Sequence, residues 1–299
     1  MNLRTPCLLA VVACVFAHQA SPAEPAKATD DDLRIRGIFE SALPGTESKS
    51  SLRLIVHPHL GDLRERDYLR TALGFRYGLT RDWEATAETD WYFSHGVKAL
   101  PFLREYGFSS VHLGSKYRIG EIRASGWDCS VGADFVRPVS APPPSVTDGL
   151  QHVSPYVTFS RSLPRWPDWR VFCGTSYDFV ENTDIRGQLS KNQLNDDSIG
   201  VSGGLLWARG PMTYTFEGSY ATMHPTVDRA RDALTLRPGF VWVIPPAYTF
   251  GGRGKWLLGF ALRVTDGPDG TEVGASAKLR VNFDFKRLLG IGKVKPVAP

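Results

Sequence analysis

The chain has 299 residues, 42% of them apolar and 22% charged, and 35 bases against 31 acids give a formal charge of +4. So balanced a charge argues against a nucleic-acid partner. Beyond the first two dozen residues no apolar stretch approaches the roughly 18 to 20 residues that a membrane helix requires. A helical membrane protein is thereby excluded, and any span must be made of strands closed on themselves.

The N-terminus has the form of a secretory signal: Arg4 in a short basic region, an apolar run from Cys7 to Ala17, then the small residues Ala20, Ser21, Pro22 and Ala23. Cleavage after Ala23 removes one arginine and no acid, which lowers the formal charge to +3. A competing reading takes Val11 to Cys14 as a lipoprotein box with Cys14 lipidated. Residues 24–50 are assigned to a periplasmic leader, since Glu24 to Asp32 is small, charged and without pattern. Leu33 to Ser41 is a further candidate strand.

From residue 51 the chain alternates apolar and polar side chains in long runs, the period-2 signature of strands with two unlike faces. Strands are expected at 51–59, 67–79, 83–95, 107–119, 126–138, 152–163, 169–181, 197–208, 212–223, 234–245, 255–265 and 272–285. The last is the cleanest, with seven apolar residues from Val273 to Phe285 interleaved with Lys278, Arg280 and Asp284. Trp83, Trp127, Trp169, Trp207 and Trp256 recur at intervals of 44, 42, 38 and 49 residues, each beside a turn. Indole rings favour a membrane–water boundary, so this beat is read as one aromatic girdle of an all-β, antiparallel, up-and-down transmembrane barrel of about 12 strands. Short connections alternate with long ones, as periplasmic turns alternate with outer loops. The turn from Pro246 to Gly254 and the loop from Asp266 to Thr271 do not fit that alternation. The barrel thus occupies 51–285, and the basic segment 286–299 forms a periplasmic tail. A propeller shares the period of about 40 residues, but each period here holds two strands of about 12 residues instead of four short ones.

On these strands Arg70, Arg76, Glu84, Glu88, Asp90, Lys116, Arg118, Asp134, Arg237, Lys278 and Arg280 fall on the charged face, with Arg53, Arg170, Arg263, Asp128, Asp178, Glu217, Glu272 and Asp284. In a membrane barrel that face lines the lumen. Ten bases against nine acids suggest a wall laced with cross-strand ion pairs. His57 and His59 share a side around Pro58, itself a sign of a strand end, and are read as rim histidines in preference to a metal pair. Ser110, His112 and Asp128 or Asp134 can be drawn as a hydrolase triad, although no local motif surrounds the serine. Cys129 and Cys173 face the apolar side with a whole strand between them, about 9 to 10 Å apart and beyond disulfide reach. Pro138, Pro142, Pro143 and Pro144 stiffen one outer loop, and Asp228, Arg229, Arg231 and Asp232 charge another. No cofactor or metal signature is found.

The stretch Leu73 to Tyr92, LGFRYGLTRDWEATAETDWY, resembles the strand, tight turn and strand around the Tyr-Gly-Leu-Thr phrase of bacterial outer-membrane barrel proteins. That group includes the transporters of the phenol meta-cleavage pathway type. The resemblance implies a barrel in outer-membrane lipid and passage of small compounds, hydrophobic ones included. Together these readings favour a channel or passive transporter for small solutes through a narrow, charge-paired lumen. A structural or surface-interaction barrel with a plugged lumen is the alternative, and a barrel hydrolase is the third reading.

Overall fold

A computed structural model describes residues 39, 41–60, 69–93, 106–143, 146–189, 192, 194–223, 232–249 and 255–284. The signal segment, most of the leader, the tail and the charged residues Asp228, Arg229 and Arg231 lie outside the described residues. Twelve strands run in chain order: β1 Ser51–Leu60, β2 Leu69–Gly78, β3 Trp83–Phe93, β4 Tyr106–Glu121, β5 Asp128–Pro138, β6 Leu150–Leu163, β7 Trp166–Asn182, β8 Ser198–Arg209, β9 Met212–Thr222, β10 Ala233–Ile244, β11 Lys255–Gly267 and β12 Gly270–Asp284. Each pairs antiparallel with its chain neighbours, and β1 pairs with β12, so the sheet closes into a barrel. Closure leaves no strand edge unpaired, which is what a lipid environment demands of a sheet. A propeller and an open sandwich are both ruled out.

The closed ring also settles which face points outward. Leu54, Phe75, Leu113, Val201, Phe216 and Leu262 are exposed around the outside, whereas Arg53, Glu84, Lys116, Glu217 and Arg280 are buried within. A water-soluble barrel would put these two sets the other way round. Burying charge costs several kcal/mol per unpaired ion, and exposing large apolar groups on every side is favourable only against lipid. An arginine placed on the outer belt is accordingly expected to cost about 2 to 4 kcal/mol at mid-membrane. Leu113→Arg should show this loss in urea unfolding from vesicles, and an unchanged midpoint would argue against a lipid-facing belt.

The tryptophan beat sits at the end of the barrel where the short turns lie. Trp169 stacks on Trp207 with centroids 5.6 Å apart, Trp207 lies 5.3 Å from Tyr214, and the Trp83 indole N–H donates to Ser115 Oγ at 2.7 Å. A second set marks the loop end, with Trp91 against Phe108 at 5.8 Å and Tyr177 against Phe179 at 4.5 Å.

Three prolines lie well inside strands, while Pro138 closes β5 and Pro167 is the second residue of β7. Pro58 pairs with Thr71 of β2, while the ladder from β1 to β12 skips from Val56 to His59. Pro155 keeps its pairing to β5 and interrupts β6–β7; Pro238 keeps its pairing to β9 and interrupts β10–β11. Having no N–H, each proline forgoes one ladder and retains the other. β1 runs two residues past Pro58, to Leu60. Both irregular connections take defined forms where they are described. Pro246–Tyr248 forms a 3-10 turn, with Tyr248 packed 6.3 Å from Trp242. The loop after β11 is a tight hairpin, Gly267 pairing with Gly270.

Candidate functional site in the barrel lumen

The part of the leader that is described, from Phe39 to Ser50, lies inside the ring. Its polar partners come from strands on every side. Phe39 N–H and Ser41 N–H donate to the two oxygens of Glu217 on β9, at 2.9 and 3.0 Å. Lys278 Nζ on β12 donates to Phe39 O at 2.9 Å. Lys116 Nζ on β4 donates to Leu43 O and Gly45 O at 3.0 and 2.7 Å, and Glu84 on β3 accepts Glu47 N–H at 2.8 Å. Glu47 itself pairs with Arg53 on β1 at 2.8 Å. Only a segment within the lumen can reach β1, β3, β4, β9 and β12 at once. Phe39, Leu43 and Glu47 are accordingly almost fully buried, at 3%, 1% and 0% exposure.

The local sequence suits this course. Ser41, Ala42, Gly45 and Thr46 are small enough for a chain threaded between wall side chains, and Pro44-Gly45 bends it. At the turn end the segment passes over Gly78, where a Cβ would collide with Ser48. Ser50, at φ 63, then donates its N–H to Gly78 O at 2.8 Å, and the chain turns into β1. At the deep end the Phe39 ring fills a hollow of Phe172, Leu206, Val241, Leu257 and Ala261. Gly239 and Gly259 make room for it: an added Cβ would lie 2.9 and 3.0 Å from the ring.

Ladder registers place the expected lumen residues as follows. Lys116 is paired with Glu84 across β3–β4 and lies 3.0 Å from it, with Arg76 3.9 Å from the same carboxylate. Arg118 grips both oxygens of Asp128 at 3.0 Å. Glu88 packs over Gly74 and Asp134 over Gly114. Arg237 stands opposite Glu217, Arg280 opposite Ile55 and Arg70 opposite His59. Cross-strand ion pairs are thus present, but bases and acids are also segregated. Among the described inward side chains, the five adjacent strands from β10 through β12 and β1 to β2 carry Arg237, Arg263, Lys278, Arg280, Arg53, Arg70 and Arg76 against the single acid Glu272. The next strands hold Glu84, Glu88, Asp90, Asp128 and Asp134. From β6 to β8 the wall is rich in hydroxyls, with Ser154, Thr158, Ser160, Ser176, Ser198 and Ser202. A basic arc therefore faces a hydroxyl wall.

The triad drawn from sequence is not assembled. Ser110 Oγ donates to Asp90 Oδ2 at 2.6 Å and His112 Nε2 lies 2.9 Å from the same oxygen, so serine and histidine both converge on one carboxylate. A nucleophile, base and orienter in sequence would need the serine on the histidine. Asp128 is held by Arg118, and Asp134 lies over Gly114. His57 and His59 share the inner face with centroids 5.5 Å apart. Among the described residues, no group of three or more side chains is placed to hold a metal ion. Cys129 and Cys173 both pair with Phe159 from opposite sides, and both thiols are free. Oxidation of the folded protein should leave them unbridged, as equal mobility on reducing and non-reducing gels would register.

At the loop end the connections pack on one another. Gln188 N–H donates to Thr147 O at 2.9 Å, and Thr183 Oγ1 to Gly149 O at 2.7 Å, which joins the loops after β5 and β7. Asn192 then reaches the β11–β12 hairpin: it donates to Gly270 O at 2.8 Å and accepts from Asp269 N–H at 2.9 Å.

Phe39, Glu47 and Asn192 carry no sequence signal of these roles, since their partners stand on strands and loops that only the closed fold brings to them. Glu217 was placed on the charged face, yet nothing in its spacing shows that it binds a segment of the same chain.

The chain matches no family model and no curated protein. Its fold matches solved structures. The COG4313 outer membrane channel from Pseudomonas putida F1 superposes with a TM-score of 0.52 at 10% identity, covering 82% of this chain and 99% of that one. NanC porin gives 0.49 at 14% identity, covering 78% and 98%, and KdgM porin gives 0.47 at 9%, covering 77% and 98%. At these identities the likeness is one of fold, that of bacterial outer-membrane barrels.

Proposed function

We propose that the protein is an outer-membrane channel for small solutes, exported by residues 1–23 and seated in lipid by its tryptophan girdle. The observation that carries this reading is the inversion of the barrel, with an apolar belt outside and a charged, hydroxyl-rich lumen within. The Pseudomonas putida barrel of like fold is described as a channel, and the same role is assigned to this chain by that analogy. Trp83, Trp127, Trp169, Trp207 and Trp256 form the inner girdle, and the tail from Lys286 lies in the periplasm. Arg70, Arg76, Glu84, Glu88, Asp90, Lys116, Arg118, Asp134, Arg237, Lys278 and Arg280 set selectivity by the lateral field across the lumen. Solutes with both charged and hydroxyl groups fit a basic arc facing serines and threonines.

One observation favours a second reading, a barrel whose lumen is shut: the Phe39–Ser50 segment crosses it. Liposome swelling with small sugars and small aromatics, beside planar-bilayer recordings of the refolded full chain, tests both. Swelling and discrete conductance steps are expected. Their absence in the intact protein and in a variant lacking residues 39–46 would remove the channel and leave the structural barrel.

A further inference from the structure

We infer that Arg123, Arg161 and Arg165 form a site on the outside of the barrel for the headgroup of an anionic phospholipid, whose acyl chains lie along Phe159 and Val131. The inference rests on the membrane reading above. On β6 the side chains of Thr158 and Ser160 are buried inward, so Arg161 follows Val157 and Phe159 on the outer face, close to the turn end. Its guanidinium lies over Gly126 of the turn between β4 and β5, where an added Cβ would come within 3.3 Å of Nε. Asp128 of β5 pairs with Ser160, so Trp127, one residue earlier, stands at the level of Arg161. Arg123 and Arg165 are exposed on the turns of the two hairpins that meet at β5 and β6.

Among the described residues no ion pair engages these three arginines, whereas the inward Arg53, Lys116 and Arg118 each meet a carboxylate at 2.8 to 3.0 Å. The neighbouring acids are committed elsewhere. Glu121 accepts the Gly126 N–H at 2.8 Å, and Asp128 faces inward on Arg118. Asp168 alone is left against three bases on the two turns. Other turns lack this excess: Arg81 stands beside Asp82, and Arg209 lies singly over the Trp207 ring, 5.8 Å from its centroid. A lone arginine at a strand end needs only water for its head. Three on adjoining hairpins make a positive patch at the depth of the indole girdle, which is the depth of lipid headgroups. A phosphate matches the paired N–H groups of a guanidinium. Directly above the arginines the wall is apolar, with Phe159 paired to Cys129, Val157 paired to Val131, and Val131 40% exposed. A phospholipid supplies both the anion and the chains that these two tiers call for, and a soluble phosphate supplies only the first.

The test uses the full chain refolded in detergent and checked for a heat-dependent gel shift. Native mass spectrometry is recorded with equimolar phosphatidylglycerol and phosphatidylcholine of the same acyl chains. The wild type is expected to retain phosphatidylglycerol at least about fivefold more tightly, the effect of one basic residue at an anionic surface. The triple variant Arg123→Gln/Arg161→Gln/Arg165→Gln should bind the two lipids equally, while Arg209→Gln keeps the preference. Equal binding by the wild type, or a preference that survives in the triple variant, overturns the inference. So does displacement of the lipid by excess inorganic phosphate, which would make the ligand a soluble anion. Should the triple variant not fold, Arg161→Gln is read by the same comparison, and an unchanged preference again overturns it. Flotation with vesicles separates this result from the membrane reading: a chain that never floats removes that reading, whereas one that floats but binds both lipids equally removes the site alone.

Discussion

Deleting residues 39–46 should raise single-channel conductance severalfold while the barrel remains folded. The segment crosses the lumen between β9 and β12 on one side and β3 and β4 on the other, and a barrel of twelve strands is narrow to begin with. The ladders do not depend on it, since every strand keeps both neighbours. Deletion removes charge-assisted hydrogen bonds at Glu217, Lys278 and Lys116, each worth about 1.5 to 3 kcal/mol while dry. Once the segment is gone, water enters and solvates the same three groups, so most of that stabilisation is replaced. Recordings at matched salt check the expectation, with the heat-dependent gel shift as the control for folding. An unchanged conductance in a folded variant would mean that ions pass beside the segment.

The second large effect is expected at Lys116. Its ammonium, 3% exposed, is shared by Glu84 and two segment carbonyls, and Glu84 is 2% exposed. Lys116→Met leaves a buried carboxylate with Arg76 3.9 Å away as its remaining cation and strips both carbonyls of their donor. Breaking one side of such a pair costs about 3 to 5 kcal/mol. Adding Glu84→Gln removes the stranded charge, so the double variant should recover part of the loss. Urea unfolding in vesicles, followed by tryptophan fluorescence, measures both. A single variant within about 1 kcal/mol of wild type, the range of exposed ion pairs, would show that water already reaches the pair.

The wall of this barrel was legible in the sequence, and its contents were not. A strand with lipid on one side and a polar lumen on the other writes its period directly into the residues, so all twelve strands stood out, from Ser51–Leu60 to Gly270–Asp284. β7 begins at Trp166, earlier than expected, because the chain rejoins its neighbour at the Leu163–Trp166 pair. Phe39 to Ser50 has no period, since most of its polar ties to the wall run through its own N–H and C=O groups, which every residue possesses. Nor does alternation along one strand reveal which strands lie side by side with like charge. The grouping of Arg237, Arg263, Arg280, Arg53 and Arg76 emerges only when β12 closes on β1. The same holds for Ser110, His112 and Asp90, whose meeting depends on the register of β3 against β4.

The in-strand prolines divide the barrel mechanically. Pro58 and Pro155 lie near the loop ends of β1 and β6, and Pro238 lies nearer the loop end of β10 than its turn end, so the three gaps at prolines fall in the loop half, while the register shifts at Arg118/Gly120 and Ser162/Leu163 fall at the turn end. The turn half is braced by the inner segment, which ties β1, β3, β4, β9 and β12 together like spokes to a hub. The proline gaps lie outside that hub, which makes their seams the compliant part of the wall. Under tension the seams β1–β12, β6–β7 and β10–β11 are expected to open at these gaps before the wall around the hub does.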